Sequence, residues 1–303
     1  MIYNLGSINA DHFYQVSHLP LPGETLAASR VATGLGGKGT NQSVAAAKAG
    51  SDVVHIGAVG PDGGWAVERI ADYGVGTKFI DTVHTPTGHA IINVDDRGEN
   101  AIVIYSGANS SQNIERIKTA LGGATPKDIL LLQNETTLQD AAAKIARECG
   151  MTVIYSAAPF SVDAVEKVLP NTTVLMMNEV ESQQLCAELR TDLANLPVTE
   201  MIVTKGSDGA DWLQPATGKT AYVPSFSVTP VDTTAAGDTF AGYFAAGLDQ
   251  GLTVVESMTL ASAAAAVKVT RKGTADVIPT RAEVDAFLGS GPLVLGENRL
   301  VTP

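Results

Sequence analysis

The stretch Val231-Asp232-Thr233-Thr234-Ala235-Ala236-Gly237-Asp238-Thr239-Phe240 joins a turn of small residues to the start of a helix and places a carboxylate at the join. Ala235, Ala236 and Gly237 let the backbone approach a ligand closely, and the N–H groups of a first helical turn lack partners within the helix. An anion is favoured there, and the geometry suits phosphate. The helix continues with Phe240, Ala241, Phe244, Ala245 and Leu248 at three- and four-residue spacing, and Gly251 is its expected terminator. An isolated Asp in a first turn is ordinarily a complement to the helix dipole. Beside a bound phosphate, Asp238 has a second use, accepting the proton of an attacking hydroxyl.

Outward from this segment, β-rich runs alternate with helical patterns: Ile2 to Ile8, Val53 to Ile56, Ile129 to Leu132, Thr152 to Tyr155, Val174 to Met177 and Met201 to Thr204. The alternation predicts an α/β fold on a parallel sheet. Residues 11–33 and 88–106 interrupt it, the second as a hairpin turning near Gly98. No repeat or linker divides the 303 residues, so one domain spanning 1–303 is expected, with the tail after Leu288 unassigned.

Composition limits the partners. A 45% hydrophobic, 17% charged chain of net charge −12 lacks the basic face that nucleic acid or an anionic membrane requires. The longest uncharged apolar stretch, near Ser257 to Val267, is well short of a membrane span, and a cytoplasmic protein acting on a small ligand is expected. Cys149 and Cys186 lack metal-ligand spacing and read as buried reduced thiols. The five histidines show no H-x-x-x-H spacing, and no G-x-S-x-G elbow is present. Gly34 to Gly39 fits G-x-G-x-x-G, but the next strand ends in His55-Ile56-Gly57-Ala58 without the acidic ribose ligand, and no P-loop spacing exists.

The 231–240 segment is nearly identical to the D-T-x-A-A-G-D-T-F run of the ribokinase family of carbohydrate kinases. Five further blocks resemble that family in its order: Gly6 to Asp11, Gly36 to Asn41, Thr87-Gly88 with Gly107 to Asn109, Asn178 to Glu181, and Val269 to Gly273. The resemblance spans roughly residues 2–288 and implies a three-layer α/β/α fold with a central, mostly parallel sheet. The interrupting segments would then form a small β lid, used for homodimerisation. It implies transfer of the γ-phosphate of ATP to a sugar's primary hydroxyl, D-ribose being the first candidate, with Asp238 as base and Ala235, Ala236 and Gly237 as the anion hole. Asn9, Asp11, Gly37, Lys38, Asn41 and Glu135 would bind the sugar. Asn178, Thr204, Gly206, Ser207 and Gly209 would bind ATP. Asn178 and Glu181 would hold Mg2+ through water, and Asp232 and Thr234 a monovalent cation, K+ being the candidate.

Each of these residues also has an ordinary local use: Asn9 and Asp11 in a turn, Asn41 and Asn178 as helix caps, Glu135 as a solvated acid. Three positions depart from the family pattern. Val277 stands where a serine hydroxyl is usual at the cation site, Ser156 begins a replacement of the usual Asn-Pro-Ala-Pro, and Ser262 stands where a histidine often neighbours adenine. Fructose, another sugar or a nucleoside remain alternative acceptors. A non-catalytic sugar or nucleotide sensor is the alternative from another class, although Asp238 and Gly237 are both present.

Overall fold

The apolar runs that alternate with helices enter one sheet. The computed structural model describes residues 1–291, 294 and 299–301. In chain order its strands are β1 (Ile2–Leu5), β2 (Asn9–Gln15), β3 (Arg30–Gly36), β4 (Val53–Val59), β5 (Gly76–Thr82), β6 (Gly88–Val94), β7 (Asn100–Tyr105), β8 (Ile129–Gln133), β9 (Thr152–Ser156), β10 (Val174–Asn178), β11 (Glu200–Thr204), β12 (Ala210–Gln214), β13 (Lys219–Val223) and β14 (Arg299–Val301). The large sheet runs β14-β13-β12-β11-β10-β9-β8-β1-β4-β5. It is parallel from β11 to β5 and antiparallel from β11 to β14.

Alternation within the parallel strands builds two cores, one on each face. Ile2, Leu131, Ile154 and Met176 point to one, with the helices Lys38–Lys48, Ala236–Asp249 and Val254–Val269. Tyr3, Leu130, Val153 and Leu175 point to the other, with the helices Ile114–Leu121, Gln139–Glu148 and Glu179–Leu189. This is the expected three-layer fold.

The first strand is shorter than the run Ile2 to Ile8. The chain leaves the sheet at Gly6, where a Cβ would stand 2.4 Å from Gly39 Cα, and Ile8 leads into a second sheet. That four-stranded sheet, β3-β2-β6-β7, is the lid; it begins at Asn9 and extends to Gly36 on one side, and spans 88–105 on the other. Gly98 turns the β6–β7 hairpin at φ +83. Strands β5 and β12 to β14 were not expected. Cys149 and Cys186 are free but half-buried, Cys149 standing at the exposed end of the helix Gln139–Glu148. Val294 bridges Phe226, and the rest of the unassigned tail, at 292, 293, 295–298, 302 and 303, lies outside the described residues.

Candidate active site

The site opens at the carboxyl ends of the parallel strands, where Gly6, Gln133, Ser156, Asn178 and Thr204 leave or end β1, β8, β9, β10 and β11. Ligands collect at this edge in open α/β sheets.

The loop 231–235 is stitched to the helix behind it: the N–H groups of Val231 and Asp232 donate to the Val269 carbonyl at 2.7 and 3.0 Å. Thr234 N–H donates to Asp232 Oδ1 at 2.9 Å, and Gly273 N–H to Asp232 Oδ2 at 2.9 Å. Burial alone would raise the Asp232 carboxyl, but these donors and the Lys268 charge outweigh it and hold it below the ordinary carboxylate value. Ala235 then adopts φ +58, a left-handed conformation uncommon for a residue with a Cβ, and the helix Ala236–Asp249 starts with no side-chain cap.

Of the three amides expected to face an anion, Ala236 N–H is instead used by the Thr233 carbonyl at 3.2 Å. Among the described residues the N–H groups of Ala235, Gly237 and Asp238 find no acceptor. These residues line a cavity of about 240 Å³ together with Lys38, Asn178 and Glu181. A Cβ on Gly237 would meet nothing within 4 Å, so the protein's own packing does not demand glycine there.

Asp238 is 7% exposed and ion-pairs with no side chain among the described residues. Two amides hold it: Asn41 Nδ2 donates to Oδ2 at 2.9 Å and Gln42 Nε2 to Oδ1 at 3.2 Å. Asn41 is therefore not a cap; it lies inside the helix Lys38–Lys48. Behind Gln42 runs a buried polar chain. Gln133 Nε2 donates to Gln42 Oε1 at 2.7 Å and to Asn4 Oδ1 at 2.9 Å, and Asn4 Nδ2 donates to Ser43 Oγ at 2.8 Å. Ser43 Oγ lies 2.8 Å from His55 Nδ1, and His55 Nε2 lies 3.1 Å from the Gly6 carbonyl. Full burial pushes His55 down to about 4, so the ring is neutral; Nε2–H donates to the carbonyl and Nδ1 accepts from Ser43.

Lys38 lines the same cavity, and its ammonium is held above the ordinary lysine value chiefly by the charge of Asp238, with Glu135 and Glu181 adding to it. Glu135 is no solvated acid. It accepts from Ser7 Oγ and, at 3.0 Å, from Lys38 N–H; burial raises its pKa. Asn9 and Asp11 lie on β2 rather than in a turn. Asn9 Oδ1 accepts from Asn109 Nδ2 at 2.7 Å. Burial, with Glu135 nearby, pushes Asp11 up to about 7. A Cβ on Gly36 would stand 2.0 Å from Asp11 Oδ2, so the glycine makes room for this carboxylate. Gly37, at φ +93, turns the chain against Ser7.

Thr204, Gly206, Ser207 and Gly209 line a second, more apolar cavity of about 480 Å³ with Phe226, Val228, Ser262 and Ala265. The two cavities share Thr204, Thr233, Ala236, Gly237 and Phe240, so they form one cleft with a polar and an apolar end. Ser156 lines the polar end, while Ser262 Oγ is turned to the Pro224 carbonyl at 3.2 Å. Asn178 and Glu181 form a reciprocal capping box at the start of the helix Glu179–Leu189, with both bonds at 2.8 Å. The local use foreseen for Asn178 is thus real, and both residues also face the cavity. Sequence reading gave no site role to Gln42, Gln133, Ser7, Asn109 or Lys268; Ser7 and Asn109 lay within blocks that resemble the family, and Lys268 ends the uncharged run Ser257 to Val267.

An uncapped helix start beside a buried carboxylate, in a cleft with a polar and an apolar end, suits phosphoryl transfer. The family model described as pfkB family carbohydrate kinase matches residues 1–281, and the chain belongs to that family. It is 36% identical over 298 residues to the ribokinase of Haemophilus influenzae, covering 94% of this chain and 97% of that protein. The structure superposes on Thermotoga maritima ribokinase with a TM-score of 0.85 at 32% identity, covering 95% of this chain and 99% of that one. Arabidopsis thaliana ribokinase complexed with ribose and ATP gives 0.82 at 28% identity, covering 95% and 98%.

Proposed function

We propose that this carbohydrate kinase phosphorylates D-ribose on its primary hydroxyl, working as a single catalytic domain. The carrying observation is the open start of the helix Ala236–Asp249, with unpartnered N–H groups beside a carboxylate hydrogen-bonded by two amides. Asp238 is oriented to take a hydroxyl proton while the free amides and Lys38 receive charge developing on the phosphoryl group. Asn9 and Asp11 on the lid strand β2, with Gly37, Lys38, Asn41 and Glu135, are the sugar's proposed hydrogen-bonding set. The second cavity has the apolar lining that suits adenine, with Gly206, Ser207 and Gly209 at its rim. Lid closure excludes water as a competing acceptor.

Among the described residues no group of three or more metal-binding side chains exists, so Mg2+ fits only as a hydrated ion brought by ATP. Glu181, with one carboxylate oxygen outside the capping box, and Asn178 would hold it through water. When bound, it neutralises phosphate charge. A second copy is proposed to cover the lid. Val31, Ile91, Val103 and Tyr105, 56, 38, 68 and 47% exposed, share by register the face opposite Asp11. Sedimentation at micromolar concentration tests this, a monomer counting against it. No described helix is long and apolar enough to cross a membrane, and cytoplasmic action is part of the proposal.

The test is ADP release from Mg-ATP with ribose, 2-deoxyribose, fructose and nucleosides. Ribose is expected to give the highest kcat/KM, and Asp238→Asn to lower turnover ~10²–10⁴-fold, the span of a positioned base, with ribose affinity kept. A faster second acceptor moves the specificity and leaves the base; unchanged turnover in Asp238→Asn removes the base.

A further inference from the structure

A lysine in the last turn of a helix usually extends into water, where it complements the dipole. Lys268 does not. It closes a run of small apolar residues in the helix Val254–Val269, is 0% exposed, and its Nζ donates at 3.0 Å to the Asp232 carbonyl, at the root of the 231–235 loop. Burial holds the ammonium below the ordinary lysine value, and the carboxylates of Asp232 and Asp238 act in the opposite direction, favouring its charge. A buried ammonium is costly, and one carbonyl does not satisfy its three donors. Packing alone would be served by leucine or methionine, so the charge itself requires an explanation.

The family resemblance places a monovalent cation at this spot, on Asp232 and Thr234. The residues present do not fit one. Both Asp232 carboxylate oxygens accept N–H groups, from Thr234 and Gly273, so a cation would have to share them, and the Asp232 carbonyl is taken by Lys268. Val277 offers no side-chain oxygen; a Cβ on Gly273 would stand 3.4 Å from its Cγ1, so its methyls fill that side of the loop. A free cation would also enter against the field of the ammonium.

We propose that the Lys268 ammonium is a tethered replacement for the monovalent cation, anchoring the turn that presents the free amides of Gly237 and Asp238, so that phosphoryl transfer needs no potassium. Lys268 is a positioning residue: it acts through the Asp232 carbonyl and the loop. The inference rests on the kinase reading, and its test keeps the two apart by pairing turnover with a binding readout that needs no acceptor.

ADP release by the wild-type protein is compared in potassium, sodium and choline chlorides at equal ionic strength, alongside its melting temperature with Mg-ADP in the same salts. Turnover within about twofold across the three and a melting temperature indifferent to potassium are expected. Tenfold stimulation by potassium, or a potassium-specific rise in melting temperature, would overturn the proposal, and the melting arm decides even if no acceptor is found.

Lys268→Met keeps the stem and removes the charge. It should fold and lose turnover by ~10²-fold, as for other removed electrostatic groups, without rescue by potassium. Lys268→Ala leaves room for an ion; potassium over choline should restore its turnover at least tenfold and raise its melting temperature. A folded Lys268→Met with wild-type turnover would overturn the assignment.

Discussion

Two helices begin within the same cleft and begin differently. At Glu179–Leu189, Asn178 and Glu181 close the start with a reciprocal box that takes up the N–H groups of Asn178 and Glu181. At Ala236–Asp249 no side chain caps the start, and the donors of Gly237 and Asp238 stay open. Both ends carry the positive pole of a helix dipole. Only the second leaves its third-position donor, the N–H of Asp238, without a side-chain acceptor. The missing side-chain cap, beside a helix start that has one, is what marks Ala236–Asp249 as the proposed phosphate seat.

The contrast is broken most severely by giving the open helix its cap. Ala235→Asp places a carboxylate at a left-handed position that Asp tolerates better than most residues, where it competes for the free amides and repels phosphate. Turnover should fall by ~10²-fold or more, as for loss of an oxyanion donor, while the melting temperature holds or rises. A stable variant with normal turnover would show that these amides do not bind phosphate.

Separating the phosphate end from the sugar end sharpens the comparison, and pH does so. Asp11 is pushed up to about 7, above its ordinary value, so it loses its charge as pH falls through neutrality. In its proposed role as an acceptor for sugar hydroxyls it is stronger when ionised, and protonation turns one oxygen into a donor. The KM for sugar should therefore rise below pH 7, approaching tenfold per unit, with kcat unchanged by this group, and Asp11→Asn should flatten the slope. The opposite slope would mean that Asp11 binds sugar as a donor. The smallest effect is expected from opening the closed start: Asn178→Ala should cost about 1 kcal/mol, read as a loss of a few degrees in melting temperature. If Asn178 also positions hydrated magnesium, half-saturation by magnesium rises as well; a purely structural cap leaves it in place.

Much of this was legible because the signals were local. Residues 231–240 carried small residues, a helix start and a carboxylate in one stretch, and the apolar runs at 129–132, 152–155 and 174–177 appear as adjacent strands with only their last residue added. The antiparallel edge was not legible, since Ala210–Gln214 and Lys219–Val223 mix polar and apolar residues and are strands by pairing with neighbours. The support of Asp238 was hidden for another reason. Gln42 and Gln133 are 91 residues apart, and a neutral amide has no signature until the fold supplies its partner. Local readings divided: capping at Asn178 was correctly foreseen, whereas Asn41, read as a cap, stands inside the helix Lys38–Lys48 and donates to Asp238.

The buried chain behind Asp238 ends on a single imidazole, and that ring is a spectroscopic reporter. With Nε2 donating to Gly6 and Nδ1 accepting from Ser43, His55 is confined to one tautomer, and a group pushed down to about 4 does not titrate across the range in which the enzyme would work. Its two nitrogen-15 resonances should stay far apart and unmoved while the carboxylates around the sugar titrate. A shift in either one would register a rearrangement of the base's support before turnover registered it.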